Sequence, residues 1–360
     1  MSPSPRSQPG HVTATVDLDG PGRSVGHLLV PGADDDHAYS TIPVPLAVVA
    51  GHDGPTALLV AGTHGDEWEG QLIVRNLLRS LDPDRLHGRL VLLPAFNLPA
   101  VRAARRCSPI DGENMNRAFP GDPEAGPTRM LAHYVESTVL PRCDYAMDLH
   151  SGGSASDYLP CAFLRIDDDR RRTEEKVTAA TVLGLPHAFV VPAAGEARTL
   201  SAAADRQGTI MVATELGGGG RVDAGILAQA TTAVHRLLVH WGLLAGDGGL
   251  AWDPASTDDR GTRFLRLGGS SAAVVTTAGL LEPLVRLGDR VDEGTTIARV
   301  HPLEYPDRPP EEVRAPVDGV VAIVRTPPRV QAGDVAASIG VPVEASAIVA
   351  SSGNAVVPES

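Results

Sequence analysis

The sequence has no run of about 18 apolar residues, the length a helix needs to cross a bilayer. Its start, "MSPSPRSQPGH", also lacks the apolar core of a secretory signal. The expectation is a cytoplasmic protein with no membrane partner. Cysteine is scarce: Cys107, Cys143 and Cys161 are too few and too scattered for a disulfide framework or a Cys-rich zinc site, and they read as reduced thiols. Positive charge is short as well. A formal net charge of -13 and a pI near 5.3 argue against nucleic acid, because polyanions attract basic surfaces. A small molecule is the expected partner. Any metal must draw its ligands mostly from the 12 histidines and the carboxylates. Oligomeric state stays open, a homo-oligomer included.

The chain does have the means to bury a core, with 42% apolar and 21% charged residues. At 360 residues it exceeds the usual reach of a single core, so a large domain and a smaller one are expected. Residues 1–10 and 346–360 are small, polar or Pro/Ser-containing and are expected to lack structure. Between them strand-like and helix-like segments alternate. "PTALLVAG" (55–62) is a strand closed by glycine, "WEGQLIVRNLLRSL" (68–81) has helical apolar spacing, and "GRLVLLPAFN" (88–97) is strand-like again. This is a βαβ unit, which implies parallel strands covered by helices. Further on, "RMLAHYVESTVLPRC", "EKVTAATVLGL" and "DAGILAQATTAVHRLLVHWGLL" read as helices, and "DYAMDLHSGG", "HAFVVPA" and "GTIMVATELGGGG" as strands. The large domain spans 11–248, and a linker follows over 249–262.

From 263 to 345 short Val- and Thr-rich segments separated by Gly, Asp and Pro predict a small all-β domain. Residues 279–300 and 319–340 echo each other, each placing a strand, an "RV" and a glycine-bearing turn before another strand. This part resembles a lipoyl-type β-barrel, with "APVDGVV" at 315–321. No lysine occurs in it, so it reads as structural and not as a carrier.

In "VAGTHGDEWEG" His64 and Glu67 follow an apolar strand, at the edge where open α/β sheets place ligands. Zinc takes imidazole nitrogen and carboxylate oxygen, but an H-x-x-E pair alone also fits incidental polarity, and Asp66 and Glu69 compete with Glu67. "YAMDLHSGG" ends a second strand on His150, with Asp148 two residues earlier on the same side as a supporting partner. Two histidine-bearing strand ends favour one shared site. Glu215 in "VATELGGGG" ends a comparable strand, and a carboxylate beside an activated water can carry its proton. The loop "RRCSPIDGENMNRAFPGDP" (105–123) brings Arg105, Arg106, Asn114, Asn116 and Arg117, the residue types that grip a carboxylate or an oxyanion.

Together "THGDEWEG", "NMNRAFPG", "DLHSGG" and "TELGGGG", in that order, resemble the succinylglutamate desuccinylase/aspartoacylase family over about residues 12–345. The resemblance implies a zinc carboxypeptidase-like mixed sheet flanked by helices, plus the small C-terminal β domain, and one Zn2+ per chain. It implies His64, Glu67 and His150 as zinc ligands, Glu215 as general base and acid, and Asn116 with Arg117 as holders of the substrate carboxylate. Arg106 would polarise the scissile carbonyl, with Arg105 and Arg102 kept open for that role. The opening segment and the 106–121 loop look most like the branch that deacetylates N-acetyl-2,4-diaminobutyrate in ectoine degradation. The expected activity is therefore zinc-dependent hydrolysis of the linear amide of an N-acyl amino acid. The rivals are deacylation of another N-acyl amino acid such as a succinylated one, a carboxypeptidase on short peptides, and a non-catalytic binding module. The last is disfavoured because all four metal and acid positions are present.

Overall fold

The computed structural model describes residues 11–32, 40–192, 195–245 and 261–352. The expected unstructured start at 1–10 lies outside the described residues, as does nearly all of the linker. The chain forms two compact units. One draws on Met1–His150, Glu196–Ala213 and Val234–Asp253, the other on Ser151–Gly195, Thr214–Ala233 and Pro254–Ser360.

The first unit is built on strands β1 (Thr13–Ala14), β2 (Gly22–Gly32), β3 (Ser40–Ala50), β4 (His52–Ala61), β5 (His87–Leu93) and β6 (Tyr145–His150). Their order in the sheet is β1-β2-β3-β5-β4-β6. β2 and β3 pair antiparallel along their whole length, and β3 lies antiparallel to β5. β4 runs parallel to both β5 and β6. The sheet is thus mixed, as expected, with its parallel part at β5-β4-β6. Ala57 to Ala61 of β4 are all buried, which is why the strand reads as an unbroken apolar run and not as an alternation.

Helix α1 (Glu69–Ser80) buries Ile73, Val74 and Leu77 at helical spacing, with Glu69 in its first turn and Arg79 in its last. Asn97 caps α2 (Leu98–Ala103), so β5 stops sooner than "GRLVLLPAFN" suggested. The helix expected over "RMLAHYVESTVLPRC" divides into three. It begins as α3 (Pro127–Tyr134), widens into a π-helical turn at Val135–Val139 and tightens to a 3-10 turn at Leu140–Arg142, where Pro141 cannot continue the ladder.

Beyond β6 come β7 (Ser156–Tyr158), β8 (Cys161–Arg165), α4 (Arg170–Leu183), β9 (His187–Val191), α5 (Leu200–Gln207), β10 (Ile210–Glu215) and α6 (Ala224–His240). Asp169 caps α4, and Gly184 closes it in the left-handed conformation. Ile210 donates to the Asp144 carbonyl at 3.0 Å, setting β10 beside β6.

The second unit carries β8 and β9 in parallel, then β11 (Arg263–Arg266), β12 (Ala272–Val274), β13 (Gly279–Pro283), β14 (Arg290–Val291), β15 (Thr296–His301), β16 (Glu311–Arg314), β17 (Gly319–Arg325), β18 (Arg329–Val330) and β19 (Val335–Pro342). The internal echo is visible in the pairing. β13, β14 and β15 repeat the long, short, long pattern of β17, β18 and β19, and each short strand pairs with the other repeat's first strand. Inward residues such as Val291, Val300, Val321, Val330 and Ile339 share one apolar core. The chain does not end where order was expected to end. Helix α7 (Ala345–Ala350) occupies the first part of the 346–360 stretch and buries Ile348, which corrects that expectation for 346–350.

Candidate metal centre

β4 and β6 lie side by side in parallel with Ala61 opposite Leu149, so their C-terminal ends reach the same edge of the sheet. His150 is the last residue of β6 and His64 stands three residues beyond β4. The turn between β4 and α1 can lie this close to α2 because residue 65 is glycine. A Cβ there would meet the Ala100 carbonyl at 2.0 Å, and the Gly65 N–H instead donates to the Arg105 carbonyl at 2.8 Å.

The ligand atoms of His64, Glu67 and His150 lie within 4.8 Å of one another, and all three residues are buried. Among the described residues the group comprises these three and neither Asp66 nor Glu69, which are buried as well. Glu67 sits between the two rings, with Oε1 2.6 Å from Nδ1 of His64 and Oε2 2.7 Å from Nδ1 of His150. The outer nitrogens face oxygens. Nε2 of His150 is 2.8 Å from Asp148, and Nε2 of His64 is 3.1 Å from Oδ1 of Asn114. Asp148, 1% exposed, also accepts from the Thr63 hydroxyl at 2.9 Å. With a metal in place, a proton on each Nε2 would serve Asp148 and Asn114 and leave both Nδ1 atoms free to bind the ion. Two imidazole nitrogens and one carboxylate, with the far side of each ring held by an oxygen acceptor, fit a divalent metal of the zinc type.

Glu67, His64 and His150 act strongly on one another's charge. Burial works against the Glu67 carboxylate, but His64 and His150 beside it pull its pKa below the usual range. Burial lowers the pKa of His64, and Glu67 offsets only part of the shift. His150 is driven the other way: burial disfavours its charge, yet Asp148 and Glu67 raise its pKa well above the ordinary imidazole value.

Arg106 brings Nη1 to 3.5 Å from Glu67 Oε1 and 3.4 Å from His64 Nδ1. Of its rivals, Arg102 lies in the last turn of α2, and Arg105 gives its carbonyl to Gly65. Met115–Arg117 forms a 3-10 turn capped by the Asn114 side chain. It places Nδ2 of Asn116 3.5 Å from Nε2 of His150. Arg117 donates through Nη1 to the Asn116 carbonyl at 2.6 Å and faces Glu196 through Nε at 3.3 Å. Burial lowers the pKa of Arg117, Glu196 opposes that shift, and Arg106 and Arg198 add to it. Glu196 and Arg198 were not among the expected site residues. They stand in an irregular segment some 80 positions from Arg117, with no motif of their own.

Glu215 ends β10, as expected, in the second unit. Gly217 to Gly220 all have positive φ, and at Gly218 a Cβ would lie 2.1 Å from the Ser156 carbonyl. The glycine run therefore packs backbone to backbone on the loop that follows His150, with Gly152 donating to Gly217 O at 2.8 Å and Gly219 to Ser156 O at 3.0 Å. Cys161 is buried near Glu215; burial, and then the Glu215 charge, push its thiol well above the usual pKa, an inert and not a nucleophilic cysteine.

The chain is similar to several known proteins. The family described as the succinylglutamate desuccinylase/aspartoacylase catalytic domain matches residues 53–241. The N-alpha-acetyl-L-2,4-diaminobutyric acid deacetylase of Halomonas elongata is 38% identical over 346 residues, 96% of this chain and 99% of that protein. Among solved structures, the product-bound ectoine utilization protein EutE (DoeB) from Ruegeria pomeroyi superposes with a TM-score of 0.87 at 34% identity, over 93% of this chain and 100% of the other. A succinylglutamate desuccinylase from Silicibacter sp. TM1040 gives 0.86 at 33% identity, over 94% and 100%.

Proposed function

The chain belongs to the succinylglutamate desuccinylase/aspartoacylase family, and on that premise we propose that it is a zinc-dependent amidohydrolase. Its reaction is removal of the acetyl group from a small N-acetyl amino acid, with N-acetyl-2,4-diaminobutyrate as the first candidate. The observation that carries this reading is the convergence of His64, Glu67 and His150 with Asp148 and Asn114 behind the two rings. The substrate choice rests on the Halomonas elongata relative, which bears the name of that deacetylase.

His64, Glu67 and His150 would hold one zinc ion per chain, which would supply Lewis acidity toward an amide carbonyl and lower the pKa of water there to about 7. Glu215 accepts the proton of the attacking water and returns it to the departing amine, so that the amide C–N bond breaks to give acetate and a free amino group. Arg106, beside His64 and Glu67, shares the charge that develops on the carbonyl oxygen. Arg117 with Asn116 holds the free carboxylate, which converts binding into orientation of the amide. Residues 11–248 form the hydrolase part, and 263–345 a β part without a carrier role. The enzyme works in the cytoplasm; among the described residues no helix is long and apolar enough to cross a membrane.

The test is a panel of N-acetyl, N-succinyl and N-formyl amino acids, with short peptides beside them, assayed on zinc-loaded protein. The expected result is a kcat/KM for N-acetyl-2,4-diaminobutyrate at least about tenfold above every N-succinyl, N-formyl and peptide substrate, a gap of about 1.4 kcal/mol in transition-state binding. Fastest turnover of a succinylated amino acid or a peptide overturns the reading.

A further inference from the structure

Beside the carboxylate-binding pair lies an acid that the chemistry above does not use. Glu196 takes hydrogen bonds from the Arg198 backbone N–H (3.0 Å) and Nε (2.9 Å) on Oε1, and from Arg198 Nη2 (2.9 Å) on Oε2. Arg117 Nε faces the same Oε2 at 3.3 Å. The fold builds this placement. The Arg198 carbonyl accepts from Phe119 N–H at 3.3 Å, Leu200 N–H donates to Asn116 Oδ1 at 3.0 Å, and Arg206 Nη1 donates to the Ala197 carbonyl at 2.9 Å. Arg198 and Leu200 are thus tied to Phe119 and Asn116, on either side of Arg117, and Ala197 to α5, and the Glu196 side chain stays 31% exposed, within reach of a small molecule.

A carboxylate offers about four acceptor positions, and in this arrangement two arginines occupy them. A substrate whose carboxylate takes the Nε of Arg117 withdraws that donor from Glu196. A substrate that brings only a second carboxylate leaves the loss unfilled and adds repulsion. One that brings an ammonium on a short side chain fills the freed position with an equivalent charge-assisted donor. We propose that Glu196 is a specificity-determining residue that selects N-acyl amino acids with a cationic side chain and rejects those with a second carboxylate. The inference rests on the reading of Arg117 as the holder of the substrate's α-carboxylate.

The experiment compares three substrates that differ only at the side-chain terminus: Nα-acetyl-2,4-diaminobutyrate, N-acetyl-2-aminobutyrate and N-acetylaspartate. They are assayed on the native enzyme, Glu196→Gln and Glu196→Asp, with zinc content and melting temperature measured for each protein. The native enzyme is expected to favour the first substrate over the second. Glu196→Gln should cut that preference by about tenfold or more, chiefly through KM, while turnover of N-acetylaspartate holds or rises; Glu196→Asp should keep most of the preference. An equal fall for all three substrates in Glu196→Gln, or an unchanged ratio, overturns the inference, since Glu196 would then serve only to hold Arg117 or nothing at all. Failure of the native enzyme to hydrolyse any of the three overturns the parent reading and this one with it.

Discussion

Replacing Asp148 with asparagine isolates what the charge behind His150 contributes. The Asp148 carboxylate is 1% exposed and accepts from two groups, Nε2 of His150 at 2.8 Å and the Thr63 hydroxyl at 2.9 Å. Asparagine has nearly the same volume. Its oxygen can keep the Nε2–H, and the Thr63 hydroxyl can turn to accept from the new NH2, so both contacts persist. What disappears is the negative charge that raises the basicity of His150. Loss of such an outer partner typically costs 10–100-fold in metal affinity, about 1.4–2.7 kcal/mol. Asp148→Ala differs in kind, because it leaves both the ring N–H and the hydroxyl unpaired in the interior, each at about 1–3 kcal/mol of stability. Competition against a chromogenic chelator at fixed pH gives the affinity, and thermal melting of the metal-free proteins gives the stability. The expectation is a zinc affinity about 10–100-fold weaker in Asp148→Asn with a near-native melt, and a clearly lower melt in Asp148→Ala. Zinc affinity in Asp148→Asn within about twofold of native would refute the argument that Asp148 tunes the site through His150.

Three further outcomes follow from other parts of the molecule. Glu215→Gln should retain its zinc and lose about 10²–10⁴ in kcat; near-native turnover removes Glu215 from the proton path. Gly65→Ala must push α2 away from a Cβ only 2.0 Å from the Ala100 carbonyl, so its urea midpoint should fall by the equivalent of about 1–3 kcal/mol, and an unchanged midpoint would deny that contact. Burial, then Arg263, holds His187 down at about 4 against an ordinary 6.5. The folded state therefore binds fewer protons than the unfolded one, the stability from neutral His187 is complete above about 6.5, and it is lost as pH falls towards about 4. Urea midpoints across that range should decline in the native protein and decline less in His187→Gln; parallel curves would contradict the assignment.

The sequence made some of this site legible and concealed the rest for physical reasons. His64, Glu67 and His150 could be found because each follows an apolar run, and a parallel sheet delivers such strand ends to one edge. Asp148 was legible from strand parity alone. Asn114, recognised only as a loop residue, needed the fold to show that its side chain backs His64 while capping the turn before Asn116. Glu196 and Arg198 were out of reach because contact with Arg117 depends on hydrogen bonds from Leu200 N–H to the Asn116 side chain and from Phe119 N–H to the Arg198 carbonyl, and these leave no periodic trace. The segment around "DYLPCAFL" carried no clear path, yet β7 pairs with β17 and β8 with β9. Those pairings are set by distant strands, not by local propensity. The break of α3 into π and 3-10 turns was foreshadowed only by Pro141.

On the proposed reading His64, Glu67 and His150 hold one catalytic metal. Elemental analysis of the purified protein, joined to deacetylation assays before chelation, after it and on return of stoichiometric zinc, tests it most directly. The expected results are about one zinc per chain, loss of activity on chelation, recovery with zinc, and neither metal nor recovery in His64→Ala. Full turnover by the metal-free protein, or undiminished zinc in His64→Ala, would contradict it.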